Sequence, residues 1–183
     1  MFRPAIVFAV SFAVTYLLTP LIARIAKRKG LVRPDVHKPG EPLIPTLGGL
    51  AIYAGLSSSL ALILLFYHEF FLQTIAIFLT NTLLTIIGLV DDLIVLRGRV
   101  KMGLTVLAIA PIMIIGYLYP KETELWIRYR PKVPLIGALR LTIIYWLLLP
   151  LAIAGPANAL NMIDIRNGGM VSTSVIAVSY THL

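Results

Sequence analysis

Apolar residues in this chain gather into long runs separated by short polar stretches. Spanning the hydrocarbon core of a bilayer takes about 20 apolar residues. Five runs approach that length, at 4–26, 47–67, 70–90, 102–119 and 141–157, and a sixth begins at Met170. Backbone amides cannot go unpaired in lipid, so each run is predicted to be a helix. Pro20, Pro111 and Pro150 lie inside or near the ends of these runs, which membrane helices tolerate better than soluble ones. The first run is too long and too evenly apolar for a signal peptide and has no small-residue cleavage site, so it reads as a retained span. The predicted architecture is all-α: a polytopic transmembrane bundle of about five full spans and part of a sixth.

The connections alternate between two faces. One face holds 27–46, 91–101 and 158–169; the other holds the short turn at His68-Glu69 and the longer 120–140. With Arg24 the first face carries ten Lys or Arg, and with Arg3 the second carries six. The positive-inside rule then places the first face in the cytosol and the N-terminus outside. In the outer loop, residues 124–130 alternate polar and apolar, Pro131-Lys132 follows, and then 133–136. This predicts a short extracytoplasmic β-hairpin whose second strand is limited by proline.

Composition agrees with a lipid-solvated chain. Of 183 residues, 58% are hydrophobic and 13% charged, against about 45–50% and 25% in soluble domains. There is no cysteine, hence no disulfide framework and no thiolate metal site. A net charge of +8 would suggest nucleic acid on a soluble protein. Here the charges lie between apolar runs without aromatic interleaving, so the partner is the bilayer and not nucleic acid. The last run has only 14 residues before the chain ends at Leu183, so a single membrane domain over 1–183, forming the N-terminal fragment of a longer protein, is expected.

Polar residues crowd three span ends on the predicted cytosolic face, and ionisable groups at membrane depth usually serve a purpose. Asp91 and Asp92 close the third span, and Arg97, Arg99 and Lys101 follow. Adjacent like charges need a cation between or beside them. Paired acids suit Mg²⁺, which takes oxygen ligands and bridges to phosphates, and the basic residues suit a diphosphate. An Asp-Asp pair taken alone is more often a solvated helix end. In the second cluster Asn158, Asn161 and Asp164 share a helical face, while Asn167-Gly168-Gly169 offers a turn with exposed amides. A capped helix exit explains the same residues. The third runs from His37-Lys38 to Gly48-Gly49. Its prolines make it stiff and extended, its glycine pair predicts close contact of the next helix with a neighbour, and its His and Lys suit a phosphate, although a lone loop His is commonly just solvated.

In this order the clusters resemble the polyprenyl-phosphate N-acetylhexosamine-1-phosphate transferase family. The matching features are Lys38-Pro39, Ile44-Pro45 and Gly48-Gly49; Gly88-x-x-Asp91-Asp92; and Asn158-Ala-x-Asn161. The stretch Asp91-Asp92-x-x-x-Leu96-Arg97-x-Arg99-x-Lys101 is most similar to the archaeal and eukaryotic dolichyl branch. The resemblance covers nearly the whole chain and corresponds to about the first half of a transferase of roughly ten spans. It implies transfer of N-acetylhexosamine-1-phosphate, most simply GlcNAc-1-phosphate, from a UDP-N-acetylhexosamine to polyprenyl or dolichyl phosphate, with release of UMP. It implies Mg²⁺ as cofactor, with Mn²⁺ as the substitute, an integral membrane location (the plasma membrane in a prokaryote), and it allows a homodimer. Carried over residue by residue, Asp91 and Asp92 are the catalytic acids, Asp92 and Asn161 meet the metal, Lys101 meets a phosphate, Asn158 supports Asn161, and Asn167 and Gly168 form the nucleotide turn.

Three positions depart from the family pattern: Ile165 replaces a glycine, Gly169 stands where Leu is usual, and Met170 where dolichyl-type members often have Glu. They bear on nucleotide affinity. Later family loops carry another metal-binding Asp and the sugar-recognition residues, so the chain as given is expected to be inactive alone. Among other readings, a CDP-alcohol phosphatidyltransferase lacks its acidic pattern here. A transporter would favour charges in mid-span. An inactive truncated membrane protein is the remaining alternative.

Overall fold

The computed structural model describes residues 2–35, 38–94, 96–123, 132–133, 137–138, 148–156 and 172. Helix α1 (Phe2–Arg28) leads through strands β1 (Val32–Pro34) and β2 (Leu43–Pro45) into α2 (Gly49–Phe66). A 3-10 turn (His68–Phe70) joins α2 to α3 (Phe71–Ile94), and α4 (Gly98–Ala108) and α5 (Ala110–Leu118) follow. Four segments are long and apolar enough to cross a membrane, Phe2–Arg28, Gly49–Phe66, His68–Ile94 and Gly98–Leu118. They agree with the first four predicted spans. Residues 148–156 are helical within the fifth; the sixth, apart from residue 172, lies outside the described residues.

Large apolar side chains cover the outside of the bundle. Phe8 is 72% and Tyr16 68% exposed, and both belong to a stack of rings, Phe8–Phe12–Tyr16, running along α1. In water such a face would be a liability; in a bilayer it is the solvated surface. With lipid as solvent, helices associate through small residues and interhelical hydrogen bonds. Gly55 of α2 is the tightest case: a Cβ there would collide with Thr15 Oγ1 and lie 2.9 Å from the Ser11 carbonyl oxygen. Two residues earlier in α2, the Tyr53 hydroxyl lies 3.1 Å from Thr82 Oγ1 of α3.

The fourth span is not one continuous helix. It breaks at Ile109, whose N–H bonds back only three residues to Val106 O. Pro111 explains the break: it has no N–H, and its ring crowds the carbonyl four residues earlier. The break is itself a packing site, since Ile109, Met113 and Ala154 form a buried cluster flanked by Leu149 and Ile153. Pro20 in α1 causes no comparable interruption.

A short antiparallel pair does occur between the fourth and fifth spans, formed by β3 (Lys132–Val133) and β4 (Gly137–Ala138). Lys132 pairs with Ala138 and Val133 with Gly137 in an antiparallel register. Val133, expected on the second strand, thus lies on the first strand of the described pair. Residues 134–136 of the expected second strand, like 124–131, lie outside the described residues.

Candidate active site

The site is built where α1, α2, α3 and α4 meet one end of the bundle. Helix α1 ends at Arg28, and Gly30 follows with φ +70°, a conformation glycine adopts without steric cost. Gly30 N–H bonds Lys27 O and Leu31 N–H bonds Ala26 O, a paired closure of the helix C-terminus. The chain then turns at once into β1, paired antiparallel with β2 through Val32–Pro45, Arg33–Ile44 and Pro34–Leu43. Within the connection expected to be stiff and extended, Leu43–Pro45 is extended, while Gly40 (φ +79°) and Glu41 (φ +43°) turn the chain. The Thr46 N–H and hydroxyl both bond Leu31 O at 3.0 Å, closing the open end of the hairpin. At its tip Lys38 pairs with Asp35 at 2.8 Å, and Lys38 is thus tied within its own loop. His37 is outside the described residues.

The hairpin holds the C-terminal end of α3. Arg33 Nη2 donates to the carbonyl oxygens of Asp91 (2.9 Å) and Asp92 (2.5 Å). Those are two of the last four carbonyls of α3, which have no partner within the helix. The last turn of α3 contains no basic residue and two acidic ones, the unfavourable sign for a helix C-terminus, where a cation is worth roughly 0.3–1 kcal/mol. Arg33 supplies that cation from another element. After β2, Leu47 adopts φ +70°, a left-handed conformation costing a branched side chain about 1–2 kcal/mol. Its N–H donates to Asp92 Oδ2 at 3.2 Å.

The two carboxylates differ in what they hold. Asp91 Oδ1 accepts the Leu96 N–H and Oδ2 the Lys101 ammonium, each at 2.8 Å. Asp91 thereby organises the turn from α3 into α4 and carries its own counter-charge. Asp92 Oδ2 takes the Leu47 N–H, while its Oδ1 accepts none of the hydrogen bonds among the described residues. Both acids border a cleft of about 290 Å³ between α2 and α3, with Lys101, Thr85 and Gly88 also on its wall. Arg97 and Arg99 are exposed; Lys101 is paired with Asp91.

The structure thus brings together Asp91, Asp92 and Lys101 as expected. Asn158, Asn161, Asn167 and Gly168 are outside the described residues. Close helix contact is not seen at the glycine pair: among the described residues a Cβ at Gly48 or Gly49 would meet nothing within 4 Å, and Gly49 lines the cleft. The close approach is made by Gly55 instead. Sequence reading missed Arg33 and the Leu47 amide. The signal for the first was an α3 terminus with two acids and no base; the second, a main-chain group, leaves no trace in residue type.

For a divalent cation the described donors are few, with no group of three or more His, Cys, Asp or Glu among the described residues. The donor chemistry nevertheless fits Mg²⁺, which is commonly held by one or two carboxylates plus substrate phosphates and water. Asp92 Oδ1 is the oxygen suited to it.

The sequence profile of glycosyl transferase family 4 matches residues 74–183. The chain belongs to glycosyl transferase family 4. Family 4 relatives extend the likeness to the first spans. A Saccharolobus solfataricus protein bearing the name UDP-N-acetylglucosamine–dolichyl-phosphate N-acetylglucosaminephosphotransferase is 29% identical over 93% of this chain and 50% of its own length. A Sulfolobus acidocaldarius protein of the same name is 26% identical over 95% of the chain and 53% of its own length. A Bacillus subtilis protein, named for undecaprenyl-phosphate N-acetylglucosaminyl 1-phosphate transfer, is 31% identical over 98% and 47%. The chain spans about half the length of these curated relatives.

Proposed function

We propose that the protein transfers N-acetylhexosamine-1-phosphate, GlcNAc-1-phosphate first among the candidates, from a UDP-sugar to a polyprenyl or dolichyl phosphate, releasing UMP. The observation that carries this reading is the division of labour between adjacent acids at a membrane-edge cleft: Asp91 is neutralised by Lys101 and Asp92 keeps an oxygen for a ligand. Names of the relatives point to the same donor and to lipid phosphates as acceptors. An oxygen of the lipid phosphate attacks the β-phosphorus of the UDP-sugar; the bond from that phosphorus to the bridging oxygen breaks, and UMP leaves with that oxygen. Catalysis of such transfers is mostly positioning and charge stabilisation. Asp92, with Asn161, would hold Mg²⁺, which supplies charge neutralisation for the diphosphate. Lys101 turns from Asp91 to a substrate phosphate, and the freed Asp91 orients the lipid phosphate or accepts its proton. Asn158, Asn167 and Gly168 serve the nucleotide side. In this reading the acidic face is cytosolic, the N-terminus outside, and the membrane of a prokaryote the plasma membrane.

The test uses protein expressed from the complete gene, supplied with polyprenyl phosphate, Mg²⁺ and radiolabelled UDP-GlcNAc. UMP release is expected, and Asp92→Asn should abolish it while the protein still inserts. Normal turnover in that variant would remove Asp92 from the mechanism, and no UMP release by the unaltered protein would favour a transporter.

A further inference from the structure

We propose that Arg33 is a positioning residue for the acidic pair: from the β1–β2 hairpin, its guanidinium clamps the main chain beneath Asp91 and Asp92 and so sets where both carboxylates point. The role rests on the functional reading above and adds to it a residue outside the three polar clusters of the sequence.

The geometry has three parts. One terminal nitrogen of Arg33 reaches two consecutive carbonyl oxygens, as a planar nitrogen with two N–H groups can do. The carbonyls belong to the very residues whose side chains border the cleft, so the contact acts on their Cα positions. The same hairpin returns through Leu47, whose strained backbone presents its N–H to Asp92 Oδ2. The α3 end is therefore gripped twice from one loop, by a side chain on the main chain and by a main chain on the side chain. Strain at a functional edge persists when surrounding contacts over-determine it, and the ladder from Val32 to Pro45, with Thr46 bonded to Leu31, provides those contacts. Arg33 touches neither carboxylate in these bonds, so it acts through the acids and not on a substrate.

The experiment compares Arg33→Gln and Arg33→Lys with the unaltered full-length protein in two assays. UMP release should fall roughly 10- to 100-fold in kcat for Arg33→Gln, the usual cost of losing a group that orients a catalytic ligand, with the KM for UDP-GlcNAc changed by less than about 3-fold. Arg33→Lys, which keeps the charge but not the fork, should recover part of that loss. Amide hydrogen exchange over residues 91–101 should quicken in Arg33→Gln and less so in Arg33→Lys. Full activity with unchanged exchange in Arg33→Gln overturns the proposal. Lost activity with unchanged exchange overturns it too, because Arg33 would then meet the substrate itself. If Arg33→Gln does not fold, Arg33→Lys decides by the same two readings. Absence of UMP release from the unaltered protein would sink the functional reading instead, and the exchange measurement would still judge the clamp.

Discussion

Two helices of this bundle end under an arginine brought from elsewhere in the chain, and the surroundings give the two contacts different meanings. At the end of α2, Arg3 of α1 donates to Phe66 O at 3.1 Å and lies 5.9 Å from the centroids of the Phe66 and Tyr67 rings. No acid stands in the last turn of α2, so the arginine closes a helix and stacks on aromatics, an anchoring arrangement suited to a membrane edge. At the end of α3, Arg33 makes the same kind of bond to carbonyls, but those carbonyls carry Asp91 and Asp92, and a cleft opens beside them. The same cation stabilises a terminus in one place and, in the other, permits two acids to sit where the helix dipole disfavours them. A charge at a membrane edge is thus informative only together with what its partner residues carry.

The comparison breaks most completely at the crossing on which both ends depend. Gly55→Leu should push α1 from α2 and lower stability by about 3 kcal/mol, since the added side chain meets the Ser11 carbonyl of the main chain as well as Thr15; the unfolding midpoint in detergent measures it, and an unchanged midpoint would deny the close crossing. Next comes Lys101→Gln, confined to the acidic end. It removes the counter-charge of Asp91 and, in the proposed function, a phosphate contact, so UMP release should drop on the order of 100-fold with the unfolding midpoint little changed. The smallest effect belongs to Arg3→Gln, which should cost about 0.3–1 kcal/mol of stability and leave kcat for UMP release unaltered. A large loss of kcat in Arg3→Gln would erase the distinction between the two arginines.

Much of this organisation follows from residue order. The long apolar runs dictate membrane helices because unpaired amides are excluded from lipid, and four of them appear with nearly the expected bounds. Asp91, Asp92 and Lys101 were legible because acids and a base at a span end are costly without a use. Less legible was the break at Ile109, although Pro111 marks it. The glycine pair at 48–49 misled, because glycine signals close approach and open space equally well; Gly55, an unremarked single glycine in the same helix, makes the contact.

The sequence by itself determined that the chain is built for lipid, which segments are long and apolar enough to cross it, and which ionisable residues gather at their ends, because each of these depends on local hydropathy and charge. Tertiary structure alone decided that Asp91 is spent on Lys101 and the α3–α4 turn, that Asp92, on the cleft wall, takes the Leu47 amide on one oxygen, and that Arg33 bonds the carbonyls of both from 58 and 59 residues away. The reason is physical: a hydrogen bond to a main-chain oxygen, or from a strained amide, depends on where the backbone lies in space and not on the identity of the residue that supplies it.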